Sequence, residues 1–302
     1  MNLIKPKKLK KGDTISIIAP AGAVDMHLVQ KAEEYFKNCG YNVKLGSNIN
    51  NHYRCMSGSD DERLEDLHIA FSDSETNAII CARGGFGTLK LLNKIDYNLI
   101  RNNPKILCGY SDITALSAMI LKKCNLITFS GPMAQSDFSC TSSQINKYTE
   151  KNFWSTLTNS TPVKLIPQDC AKTYKKGSAA GVMFGGNLAT IASLCGQDFI
   201  PDNKFIFFTE DINEPAYKID KYFTQLFSIK KFKENISALI LGDFTETDNK
   251  QWLDEIFTEI ASQTRIPIFS GYPISHTEIK ATIPFGAEAV IENSGVMTIN
   301  NE

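Results

Sequence analysis

Ser111 stands where a nucleophile would be displayed. The segment Lys105-Ile106-Leu107-Cys108-Gly109-Tyr110-Ser111-Asp112-Ile113-Thr114-Ala115-Leu116 reads as a buried strand, a sharp turn with one serine, and the first turns of a helix. At such a turn the hydroxyl is pushed out of the sheet. The amides that open the helix have no intrahelical acceptors and point toward developing negative charge. One segment thus offers a nucleophile and oxyanion donors for acyl transfer. The same residues also fit a helix cap, with Ser111 or Asp112 accepting from the free amides.

A second strand end carries unusual turn chemistry. The apolar run Asn77 to Cys81 is followed by Ala82-Arg83-Gly84-Gly85-Phe86-Gly87-Thr88 and a helical pattern through Leu89, Leu91 and Leu92. Open parallel sheets gather ligands at the carboxyl ends of their strands, so the two turns are expected to face one crevice. The small-residue turn Ala19 to Ala23 is its expected third wall.

A serine nucleophile needs a base, and the base gains from an orienting acid. His276 follows the strand-like Ile266 to Pro273 and its Gly/Pro loop, where a functional histidine would be displayed. His27 and His68 fall in helical patterns and His52 in a polar loop. The carboxylates lie in Phe207-Phe208-Thr209-Glu210-Asp211-Ile212-Asn213-Glu214-Pro215. Glu210 comes directly off an apolar strand, into a low-dielectric setting that favours a charged partner. Asp211 and Glu214 are the alternatives, or caps of the helix beginning near Tyr217; spacing leaves the three open.

Taken together, these segments resemble the serine LD-carboxypeptidase family, which includes the microcin C immunity hydrolases. The likeness runs nearly end to end. It opens on Lys5 to Pro20, passes through Arg83-Gly84-Gly85-Phe86-Gly87, Gly109 to Thr114, Gly185-Gly186-Asn187-Leu188 and Glu210 to Asp220, and closes with His276 and Pro284-Phe285-Gly286-Ala287. Phe86 stands where the family often has Tyr, Lys218 where it often has Arg, and the loop Tyr272 to Ser275 departs from the usual small-residue pattern.

The resemblance implies a catalytic set of Ser111 as nucleophile, His276 as general base and then acid, and Glu210 holding the imidazole. It implies oxyanion donors at the backbone amides of Asp112 and Gly85. The implied reaction removes the terminal D-alanine from murein tetrapeptides in cytoplasmic peptidoglycan recycling, by a homodimer without a cofactor. A substrate ending in a carboxylate needs a cation or free amides, for which Arg83, beside Gly84, is the candidate; its alternative is a structural salt bridge beneath the glycine loop. Two other functions fit parts of the pattern. One is a microcin-type amidase cleaving peptidyl- or aminoacyl-nucleotides, with Trp154 available to stack on a base. The other is a non-catalytic nucleotide- or sugar-binding α/β protein, in which Gly84 to Gly87 cradle a phosphate.

The elements that must position these residues alternate strand and helix through the first half, which means a parallel sheet covered on both faces. The expected fold is α/β: a flavodoxin- or amidotransferase-like parallel-sheet domain over residues 1–138, a polar linker over 139–176, and a mixed α/β domain with a β-rich end over 177–302. At 302 residues the length suits about two domains. A formal net charge of -1 gives no electrostatic case for nucleic acid. The lysine-rich Met1 to Lys11 lacks the apolar core of a signal peptide or a membrane span, so a cytoplasmic protein is expected. The eight cysteines, at 39, 55, 81, 108, 124, 140, 170 and 195, include no Cys-x-x-Cys, and Cys81, Cys108 and Cys195 read as small buried hydrophobes. The four histidines lack metal-ligand spacing, so no protein metal site is expected.

Overall fold

The computed structural model describes residues 3–139, 145–168 and 171–302. Its first half runs β1 (Thr14–Ile18), α1 (Met26–Asn38), β2 (Asn42–Leu45), α2 (Asp60–Ser72), β3 (Thr76–Cys81), α3 (Tyr97–Asn102), β4 (Ile106–Cys108), α4 (Ile113–Cys124) and β5 (Thr128–Ser130). Strands β1 and β4 are buried along their whole length, as apolar strands in a sheet covered on both faces must be. The helix starts are locally encoded. Asp25 accepts from the His27 amide to open α1, and Ser59 and Glu62 form a reciprocal capping box at α2.

The chain continues through α5 (Ala134–Phe138), α6 (Lys147–Thr158), β6 (Val163–Leu165), β7 (Thr173–Lys175), β8 (Ala179–Asn187), α7 (Leu188–Ala192), β9 (Phe205–Ile212) and α8 (Ala216–Ser228). It ends with α9 (Lys230–Asn235), β10 (Ile236–Thr245), α10 (Lys250–Gln263), β11 (Ile268–Phe269), β12 (Ile283–Phe285), β13 (Glu288–Ile291) and β14 (Met297–Ile299). These elements form a second sheet of order β6-β14-β13-β8-β9-β10-β11-β7, parallel in its centre and antiparallel at its flanks. Its core is aromatic: Phe184 packs edge-on to Phe205 at 5.1 Å, and Phe232 does the same to Phe207 at 5.1 Å. The mixed α/β architecture with two sheets agrees with the expected fold class.

The two sheets are not separate bodies. The first has the order β12-β5-β4-β3-β1-β2, so a strand from the C-terminal part of the chain pairs antiparallel with β5, Ile283 opposite Ser130 and Phe285 opposite Thr128. The start of α4 also meets the end of β8, where the Asn187 amide donates to Thr114 Oγ1 at 3.3 Å. A Cβ on Gly186 would lie 2.7 Å from that hydroxyl, and Gly186 has φ 107°, so glycine is what permits this approach.

Three local expectations differ from the structure. The helix expected from Thr88 is a single 3-10 turn, Thr88–Lys90, because Asp96 opens a new helix by accepting from the Asn98 and Leu99 amides. The segment read as a linker carries α6, β6 and β7, while its residues 140–144 and 169–170, with Cys140 and Cys170, lie outside the described residues. Cys81 and Cys108 are buried, but Cys195 is half-buried. Among the described residues no helix is long and apolar enough to cross a membrane.

Candidate active site

Ser111 lies between β4 and α4 with φ 62°, a left-handed backbone that costs a non-glycine residue roughly 1–2 kcal/mol. The helix does not use its hydroxyl: the Thr114 amide takes the Ser111 carbonyl at 3.0 Å, and no side chain caps α4. Asp112 instead reaches sideways. Its Oδ2 accepts from the Thr88 amide at 2.9 Å, and the Thr88 hydroxyl donates to its carbonyl at 2.7 Å, so the serine turn is tied to the exit of the glycine loop. Burial pushes the Asp112 carboxyl up, and its bonds from Thr88 oppose that shift.

The glycine loop lies directly against the serine. A Cβ on Gly84 would sit 2.7 Å from Ser111 Cβ and 2.8 Å from Oγ, so only glycine allows this approach. The Gly84 carbonyl accepts from the Gly22 amide at 3.1 Å, which packs the Ala19 to Ala23 turn onto the same loop. Among the described residues the Asp112 and Gly85 amides have no backbone acceptor, and both are free to donate to a ligand.

Arg83 is half-buried, and its Nη1 donates to the Ala23 carbonyl at 3.2 Å. Among the described residues no carboxylate pairs with it. The structural arginine beneath the loop is Arg63, fully buried, donating to the Pro20 carbonyl at 2.6 Å and pairing with Asp60 at 2.6 Å. Sequence reasoning missed Arg63. Its signal is a charge on the buried face of α2, one helical turn before Leu67 and two before Ala70 and Phe71.

Glu210 sits at the carboxyl end of β9, 3% exposed, with Oε2 2.6 Å from His276 Nδ1. Of the three carboxylates left open by spacing, only this one touches an imidazole. Asp211 is taken up by the Asn187 side chain at 2.9 Å and the Ala189 amide at 2.8 Å, while Glu214 pairs with Lys218 at 3.2 Å. Burial, reinforced by the adjacent Glu210 charge, pushes the Asp211 carboxyl up to about 6. Asn187, at the parallel end of β8, also approaches Glu210 Oε1 at 3.4 Å and so steadies both acids. The sequence marks Asn187 only as part of Gly185-Gly186-Asn187-Leu188 and does not show its contact with the two acids. Of the other histidines, His68 accepts from the Asp96 amide at 3.0 Å, away from these groups.

His276 is half-buried, and its ring stands edge-on to that of Tyr110 at 5.0 Å. The residue preceding the serine therefore touches the imidazole that Glu210 holds. Among the described residues no hydrogen bond joins Ser111 Oγ to His276. Catalytic hydrogen bonds of this kind are often long in ligand-free enzymes and tighten with substrate. Behind Tyr110 lies Lys280, also missed from the sequence, with Asp137 beside it.

Trp154 lies elsewhere, on α6. It stacks on Tyr41 at 4.9 Å and donates to the Tyr35 hydroxyl at 2.9 Å, so it is part of an aromatic cluster against α1. That packing engages its ring and its indole N–H within the protein.

The site is a strained serine beside two free amides, an unpaired guanidinium, and an imidazole held by a buried carboxylate. Such a set can perform acyl transfer. Comparison with known proteins agrees in class. Residues 15–131 match the family model of the LD-carboxypeptidase N-terminal domain, and residues 180–291 that of the C-terminal domain. A Bacillus subtilis protein named "Probable murein peptide carboxypeptidase" is 34% identical, over 96% of this chain and 92% of its own. The solved muramoyltetrapeptide carboxypeptidase from Oxalobacter formigenes is 30% identical with a TM-score of 0.84, over 95% and 97% of the two chains. The solved MccF-like protein from Bacillus anthracis is 29% identical with a TM-score of 0.91, over 99% and 100%.

Proposed function

Because the chain belongs to the LD-carboxypeptidase family of serine carboxypeptidases, we propose that it removes the terminal D-alanine from murein tetrapeptides through Ser111, His276 and Glu210. The observation that carries this reading is the 2.6 Å contact between Glu210 Oε2 and His276 Nδ1. It fixes one ring nitrogen and leaves Nε2 as the base.

Ser111 Oγ attacks the carbonyl of the scissile bond and passes its proton to His276 Nε2. The oxyanion is met by the amides of Asp112 and Gly85. As the tetrahedral adduct collapses, the bond to the D-alanine nitrogen breaks and His276 protonates the departing amine. Water then attacks the acyl-enzyme with His276 as base, releasing the tripeptide and restoring Ser111. Arg83, without a carboxylate partner of its own, takes the substrate's terminal carboxylate. The setting we propose is cytoplasmic peptidoglycan recycling by a homodimer.

The test is incubation with murein tetrapeptide and, separately, an aminoacyl sulfamoyl adenosine, following the products by mass spectrometry. Release of D-alanine from the first alone supports this reading. Cleavage of the nucleotide conjugate alone would replace it with the amidase.

A further inference from the structure

Lys280 is 3% exposed, an unusual place for an ammonium group. Its Nζ pairs with Asp137 Oδ1, lies 3.0 Å from the Tyr110 hydroxyl, and sits 4.4 Å from the centre of the Tyr110 ring. With Lys280 itself, these groups come from three segments that lie apart in the sequence. Asp137 belongs to α5, where its other oxygen accepts from the Met133 amide at 2.8 Å. Tyr110 directly precedes Ser111. Lys280 lies between His276 and β12, the strand that joins the first sheet.

One ammonium therefore ties the loop carrying the imidazole to the residue that leads into the serine turn. Tyr110 completes the link, since its ring touches His276 edge-on at 5.0 Å while its hydroxyl meets Lys280. The loop is held on its other side as well: the Lys280 amide donates to Thr149 Oγ1 at 2.9 Å, and the Thr282 amide to Asn152 Oδ1 at 2.5 Å. A buried ion pair contributes little net stability compared with apolar residues of the same shape. Its value here is geometric.

We propose that Lys280 is a positioning residue that sets the reach between Ser111 and His276 by holding Tyr110 against the imidazole. This rests on the assignment of Ser111 and His276 made above. Lys280 does not contact substrate. Its loss misplaces two groups that must meet within hydrogen-bonding distance, and a displacement of about 1 Å at a reacting pair costs about 10²-fold in rate.

The experiment compares Lys280→Met, Tyr110→Phe and the double variant Lys280→Met/Asp137→Asn with the parent protein. Lys280→Met alone takes the cation away from the Asp137 carboxylate and lowers Tm. The double variant removes both charges and keeps an oxygen for the Met133 amide, so its Tm returns most of the way. Two rates are read: kcat and KM on murein tetrapeptide, and the rate at which a fluorophosphonate labels Ser111. The expected result for the double variant is a 10- to 100-fold fall in kcat and in labelling rate, with KM within threefold of the parent. Tyr110→Phe is expected to fall in the same direction by less. Parent-like kcat and labelling in the double variant, once its Tm has recovered, would reduce Lys280 to a structural role and overturn the proposal. Should the parent protein leave tetrapeptide uncut, the substrate reading fails by itself, and the labelling rates still decide whether Lys280 positions Ser111.

Discussion

Glu210 Oε2 lies 2.6 Å from His276 Nδ1, joining the end of β9 to a loop that begins after β11. Both groups leave most of the water behind, since Glu210 is buried and His276 half-buried. A carboxylate so placed fixes the imidazole tautomer and stabilises the imidazolium formed when the serine proton moves. Glu210→Gln keeps the shape but offers an amide in place of the charge. Its kcat on murein tetrapeptide is expected to fall on the order of 10³-fold or more, with Tm nearly unchanged. A loss below tenfold in steady-state assays would show that Glu210 does not orient the base.

Gly84 lies hard against the serine, because an added Cβ would meet Ser111 Cβ at 2.7 Å and Oγ at 2.8 Å. The Cβ cannot yield without moving the serine turn. Gly84→Ala should lower kcat roughly 10²-fold, and the Ser111 labelling rate should fall with it. Parent-like kinetics would mean that the loop retreats freely.

How much of this was legible beforehand follows the range of the interactions. The alternation of strand and helix in the first half is legible because its signals are local; the starts of α1 and α2, for example, are capped by Asp25 and Ser59 within three residues. The strand, serine turn and helix around Ser111 could be read for the same reason. β12 could not, since Ile283-Pro284-Phe285 is three residues long and its partner is β5, far back in the chain. Its place in the first sheet depends on tertiary packing that no local pattern encodes. Arg63 and Lys280 escaped because a charged residue is normally read as solvated, although each interrupts an apolar pattern. Trp154 reads as available in the sequence because its stacking partners, Tyr35 and Tyr41, come from the start of the chain.

Arg83 donates to a backbone carbonyl and has no carboxylate partner among the described residues. Arg83→Met should therefore act mainly on binding. A charge-assisted hydrogen bond is worth about 1.5–3 kcal/mol, which corresponds to a KM for tetrapeptide raised about 10- to 100-fold. A tetrapeptide with an amidated C-terminus should lose the same factor with the parent protein and little further with the variant. Independent, multiplicative losses would remove Arg83 as the carboxylate's partner.

Asp211 predicts a pH dependence of stability. Its folded value of about 6 lies above the ordinary 3.8, through burial first and the Glu210 charge second. A raised carboxyl holds its proton more tightly when folded. The stability it contributes is thus fully present below about pH 4 and lost as pH rises through 6, a change on the order of 2–3 kcal/mol. Asp211→Asn removes that titration, so the Tm deficit of the variant should be largest near pH 4 and shrink toward pH 7. Thermal melts at several pH values check this, and a constant deficit would contradict it.

The most direct measurement is to quench the protein in acid during turnover of murein tetrapeptide and map the acyl group by mass spectrometry, with Ser111→Ala beside it. The account predicts a tripeptide acyl adduct on the peptide that contains Ser111, and D-alanine release lowered on the order of 10³-fold or more in the variant. Release that persists at the parent rate in Ser111→Ala, or an adduct on another residue, would contradict it.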